Sequence, residues 1–252
     1  MRRPTFAAIN TFTRVTLARS AMHQGVFVAV TACGVGLVMN SLLGVTGASR
    51  QRSTELAMHS TVVWAPFALM FVAALAVRAA LVLPIEPRAN WVFRMTEDDS
   101  ARTEQLSAVV HAVVRLAVVW PLAICFPLEW AVLGAEAIPC TSVGFLAGLV
   151  LVELHVAEWG RIPFACSYMP GKRFVGHTML IGLTAFVLFT TLGPGLVWYS
   201  VGHRIGWLVV MAMLGAVVWQ RRRQRLRRWR QTALVFEDVL PNEVEPLRLS
   251  AY

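Results

Sequence analysis

The stretch VELHVAEWGRIPFACSYMPGKRF, residues 152–174, gathers two glutamates, a histidine, a cysteine, a Pro-Gly pair and three basic residues at the end of an apolar run. Such a mixture is either a working site or the polar cuff where a helix leaves a membrane. Similar groups interrupt other apolar runs: Arg78 in one, His111 and Arg115 in another, His177 at the start of a further one. Ionisable groups inside a membrane are costly, so each is a functional candidate. His111 and Arg115, four apart, share a helix face, and so do His155 and Glu158, three apart. Glu153 and Glu158, five apart, point about 140° away from each other around a helix.

Several chemistries have no signature here. There is no GxSxG, no HExxH and no GxxxxGK[ST] phosphate loop, so the chain does not itself use ATP in that way. Glu158 and Arg161 give an ExxR spacing, without the paired glutamates or histidine motifs of an intramembrane protease. Cys33, Cys125, Cys140 and Cys166 show no CxxC or metal-finger spacing, and no metal site or disulfide framework is expected. No cofactor is expected either. Haem is the one group the histidines could hold, through His111 with His155 or His177, or through His59 with His203, because bis-histidine ligation needs two imidazoles at similar depth on facing helices.

The elements that must position these groups follow from composition. The chain has 252 residues, 57% of them hydrophobic and 15% charged, with a mean hydropathy of +0.60. A soluble domain carries about a quarter charged residues. The reading is an all-α polytopic membrane protein. It has an amphipathic interfacial segment over residues 1–24, a six-span membrane domain over 25–220, and a basic juxtamembrane segment and tail over 221–252. The spans are expected at Gly25–Val45, His59–Leu83, Leu106–Cys125 (or on past Pro127), Pro139–Ala157, Val175–Leu192 and Arg204–Gln220, because about 20 apolar residues cross a bilayer as a helix. Phe6, Ile9, Phe12 and Leu17 form the apolar face of the first segment. No compact apolar core with a cleavage site follows the start, so a cleaved signal peptide is not expected.

Arginine and lysine set the orientation. The termini and the loops after spans two and four hold 18 of them, against three in the alternate loops. Both termini are therefore expected in the cytoplasm, in a membrane such as the bacterial inner membrane. The net charge of +9 does not point to nucleic acid. Its excess sits in RRRQRLRRWR, where Arg221, Arg222, Arg223, Arg225, Arg227, Arg228 and Arg230 read as an anchor on anionic lipid at the cytoplasmic face.

In this arrangement Arg78, His111, Arg115, Glu153, His155, Glu158 and His177 all fall in the cytoplasmic third. Two arginines and two glutamates roughly neutralise one another, as buried charges require, and Glu153 is expected to pair with Arg115 or Arg78. A structural network and a functional one both fit. Arg78 also fits a side chain snorkelling to the headgroups. The loop over 84–105, with Trp91, Arg94, Glu97, Asp98 and Asp99, is a docking element or a solvated connector, and TEDDSARTEQ in it reads as a helix start with Thr96 as N-cap. Pro170 and Gly171 suit the centre of a type II turn. Arg161, Lys172 and Arg173 around it would meet phosphate, headgroups or an acidic partner.

The layout resembles the membrane subunit of the six-helix class of ABC exporters. The shared features are an amphipathic helix over Thr5 to Gln24, six spans, both termini inside and a helix-forming loop after span two. The resemblance covers most of the chain, as architecture rather than motif. It implies that the first inner loop, Asn90 to Glu104, couples to a separate ATPase, and that the chain is a permease subunit, in a dimer, moving a hydrophobic or amphipathic substrate. GPGLVWYSVGH is short for the re-entrant element that family usually places between spans five and six. The other expectation is a non-catalytic or cofactor-holding subunit of a larger membrane complex, with haem or pigment and integral partners. Neither makes the chain an enzyme.

Overall fold

The computed structural model describes residues 4–46, 51–83, 102–157, 159–160, 164, 175–201 and 203–231, and every element among them is helical. α1 is Pro4–Arg19 and α2 is Ala21–Thr46. Backbone hydrogen bonds from Ser20 to Thr16 and from Gln24 to Ser20 carry the chain across the break between them. α3, Gln51–Val82, begins before the expected span at His59.

α4, Arg102–Val114, passes through a π turn, Arg115–Val119, into α5, Trp120–Leu133. The π turn has a local cause. Pro121 has no N–H, and its ring would collide with the carbonyl of Ala117 in a regular helix, so the turn before it widens. The third expected span, Leu106–Cys125, accordingly runs on past Pro127. A single 3₁₀ turn, Gly134–Glu136, then reverses the chain. Gly134 sits at φ +59°, where a Cβ is disfavoured. α6 is Ala137–His155, α7 is Val175–Val201 and α8 is Arg204–Gln231. α7 passes through Pro194, so most of GPGLVWYSVGH, expected as an outer loop, is helix. α8 likewise continues beyond Gln220, and the basic run is its second half.

Four stretches are long and apolar enough to cross a membrane: Ala21–Val45, Met58–Val82, Arg102–His155 and Met179–Val201. The third, of 54 residues, is a hairpin. Thr141 bonds Glu129, Gly144 faces Leu122 and Gly148 faces Val118, which is antiparallel pairing of its two legs. The GxxxG of Gly144 and Gly148 marks the closest approach: a Cβ on Gly148 would lie 2.7 Å from Val118 Cγ1 and 2.8 Å from Met70 Sδ.

α3 is the hub. Of its apolar stretch 67% is buried, against 11% for α2. Phe67, Met70, Phe71 and Val77 are enclosed. Phe67 and Phe71 meet Phe189 and Phe186 of α7, with ring centres 5.6 and 5.4 Å apart. α2 lies along α3, with Gly34 against Val72. Leu43, Ile124, Leu183 and Ile205 point outward, as on helices whose surroundings are themselves apolar. α1 lies along α4. Its apolar face meets protein: Ile9 is buried, and Phe6, Phe12 and Leu17 pack against the same core.

Candidate functional site

Glu153 does not pair with Arg115 or Arg78. Its partner is Arg225 of α8, whose Nε donates to Oε2 at 2.7 Å and Nη2 to Oε1 at 2.8 Å. Both side chains are buried, 7% and 5% exposed. α6 and α8 run parallel, which makes the pairing possible: the Trp207 indole donates to Ser142 Oγ near one end, and Arg225 meets Glu153 near the other. The Arg225 guanidinium also lies 4.3 Å over the Trp229 ring. Trp229, four residues on and thus on the same face, is buried against Leu106. Its Nε1 donates to the Trp159 carbonyl at 2.8 Å.

Arg225 is therefore no lipid anchor. Both the missed pairing and this misassignment have one physical reason: α8 stays helical through the basic run and turns one face of it inward. Arg221, Arg222, Arg223, Arg227, Arg228 and Arg230 are exposed, and Arg223 stacks on Trp219 at 3.5 Å. Replacing Trp229 with phenylalanine keeps the ring contact and orphans the Trp159 carbonyl; it is expected to cost about 1 kcal/mol in unfolding of the purified chain in mixed micelles.

The other inner-third candidates separate. Arg78 donates from Nη1 to the His155 carbonyl at 2.7 Å, one of the acceptors that the end of α6 leaves without an intrahelical partner. His155 donates from Nδ1 to the Leu151 carbonyl and packs edge-on against Phe71. His111 is exposed, with its ring 6.0 Å from that of Phe6 in α1. His177 lies in the first turn of α7, with its side chain outside the described residues. Glu158, the loop residues Trp91, Arg94, Glu97, Asp98 and Asp99, and Arg161, Lys172 and Arg173 also lie outside them.

Arg115 stands elsewhere. It opens the π turn and lines a cavity of about 450 Å³ between α1, α2 and the chain from Ala112 to Trp120. Asn10, Thr13, Arg14 and Gln24 supply further polar groups to this cavity. Leu17, Phe27, Val28, Leu116 and Trp120 supply an apolar wall. Single π turns inside α-helices recur at functional sites, where they re-aim a side chain. Here the turn carries Arg115, which lines the same cavity as Arg14. No carboxylate among the described residues lines the space.

A polar knot holds α1 and α2 in place beside it. His23 is fully buried. Its Nε2 donates to the Leu83 carbonyl at 3.1 Å, so its Nδ1 accepts from Ser20 Oγ at 2.6 Å. Its ring meets Phe164 edge-on at 4.9 Å. Phe164 donates its N–H to the Leu81 carbonyl and sits at φ 62°, a left-handed conformation uncommon for a bulky residue. At the far end of the hairpin Glu129, 2% exposed, accepts from Thr141 Oγ1 at 2.7 Å.

Reading the sequence singled out neither His23, Thr13 nor Glu129. Glu129 had a visible signal, an acid inside an apolar run, but it lies in the stretch past Cys125 whose place in the span the sequence leaves open. His23 had none, since its partners are Ser20 at a helix break, the distant Leu83 carbonyl and the Phe164 ring. No group of three or more His, Cys, Asp or Glu able to hold a metal occurs among the described residues. Comparison with models of known protein families, with curated proteins and with solved structures finds no match.

Proposed function

We propose that this chain is an integral membrane permease subunit that moves a hydrophobic or amphipathic substrate together with a separate ATPase. Its setting is the bacterial cytoplasmic membrane. The two legs of the hairpin count as separate crossings and the apolar half of α8 as a further one. With α2, α3 and α7 this makes six spans, and both termini lie inside. α1 then rests at the cytoplasmic interface against the third span. The six outward arginines of α8 meet anionic lipid, each contributing about 1 kcal/mol near such a surface.

One observation carries this reading: the cavity lined by apolar residues together with Arg14 and Arg115. Its volume suits a small or chain-like ligand, and mixed walls suit a molecule with a polar head and an apolar body. It sits between an interfacial helix and two spans, where an amphiphile can arrive sideways from the bilayer. Long exposed apolar faces on α2 and α7 leave room for a second copy or further integral subunits.

The test is gentle-detergent purification of the tagged chain from its native membrane, with mass spectrometry of all that accompanies it and an absorbance spectrum of the same sample. A nucleotide-binding ATPase in stoichiometric amount is expected. Reversing Glu97, Asp98 and Asp99 to lysine is expected to reduce its recovery at least tenfold, the scale of about 1.4 kcal/mol at a docking surface. Integral redox or pigment-binding partners without an ATPase, with a haem or pigment band, would overturn the reading in favour of a subunit of their complex.

A further inference from the structure

We infer that this cavity holds one acidic phospholipid, with its phosphate on Arg14 and Arg115 and an acyl chain against Phe27, Leu116 and Trp120. This deepens the reading above and rests on it for the lipid's being cargo. Two observations point to such a ligand. First, two arginines from different elements, α1 and the π turn, line one space without a carboxylate among the described residues there. A guanidinium is a planar fork that matches phosphate, and near a bilayer it is costly without a counter-charge. Second, the rest of the wall is apolar, which a soluble phosphate or nucleotide would leave unmatched and an acyl chain would cover.

The test uses the full chain, without any ATPase, in nanodiscs of phosphatidylcholine doped with phosphatidylglycerol, and reads retained lipid by native mass spectrometry. Wild type is expected to retain phosphatidylglycerol over phosphatidylcholine. The double substitution R14Q/R115Q is expected to reduce that preference roughly thirtyfold. The control R50Q/R52Q removes the same charge without touching the residues that line the cavity or the outward arginines of α8, and is expected to keep the preference. Both arginines are exposed, so the melting temperature of R14Q/R115Q should hold while lipid retention falls. The inference is overturned if wild type shows no preference, if R50Q/R52Q loses as much as R14Q/R115Q, or if glycerol phosphate alone displaces the lipid. Lipid selectivity without a co-purifying ATPase would sink only the permease reading. An ATPase without lipid selectivity would sink only this one.

Discussion

Glu153→Gln is expected to destabilise the chain by about 3–5 kcal/mol, the scale for removing one partner of a buried ion pair. The carboxylate now accepts two hydrogen bonds from Arg225, at 2.7 and 2.8 Å. Glutamine keeps the shape but offers one acceptor and turns an amide N–H₂ toward the other guanidinium nitrogen. The arginine charge is then left 5% exposed, with only the Trp229 ring beneath it. Loss should begin locally. The second half of α8 is tied to the bundle by Arg225, Trp229 and Leu226, so in the variant trypsin should cut within residues 221–231 before the rest of the bundle opens. The double substitution E153L/R225M should recover most of the loss, because well-packed apolar pairs of similar volume match or exceed buried ion pairs. Unfolding in mixed micelles with a parallel trypsin time course reads both effects. If Glu153→Gln matched wild type in both, the pair would not be present in the folded protein.

The bundle itself was legible. Apolar runs bounded by polar residues located all the helices among the described residues, and Gly144 with Gly148 pointed to a close helix contact that α6 does make. A boundary was lost at Pro194, in a stretch read as an outer loop, whereas the sequence leaves a continuation past Pro127 open. Pro127 and Pro194 lie inside helices whose freed carbonyls neighbouring elements and widened turns can accommodate. The polar groups were less legible because depth along a helix says nothing about rotation. Glu153, Arg78 and Arg115 share a level but lie in separate contacts, with Arg225, with the end of α6 and with the α1–α2 cavity. The basic run hid its inward face because seven arginines in ten residues read as one solvated surface. Leu226 and Trp229 within it were the available cue, since two apolar residues three apart in a charged helix mark a buried stripe. Thr13 and Arg14 were overlooked for a simpler reason. The first helix was read as lying on lipid, and a helix docked on protein can build a site that one lying on lipid cannot.

The same physics makes Gly148 a position where a small change should damage packing. Here α6 touches both α3 and the leg before the hairpin turn. A methyl group at residue 148 would stand 2.7 Å from Val118 Cγ1 and 2.8 Å from Met70 Sδ, inside van der Waals contact on two sides. Met70 is flexible and can swing away. Val118 cannot, because its branched side chain has few rotamers on a helix and the residue is fully buried. Between membrane helices attraction comes mainly from close packing, so a forced separation removes many weak contacts together. Gly148→Ala is expected to cost about 1–3 kcal/mol, the range for overpacked cores, and Gly148→Leu more than that. Val118→Ala should partly rescue Gly148→Ala while being destabilising by itself. That sign reversal separates a steric clash from a general loss of helix propensity, since alanine is the better helix former and would otherwise stabilise. Gly144→Ala is the internal control: its Cβ would lie 3.3 Å from Leu122 Cδ2, the movable end of a side chain, so its cost should be smaller. Equal costs at the two glycines, or no rescue by Val118→Ala, would mean that the two legs of the hairpin do not meet at Gly148.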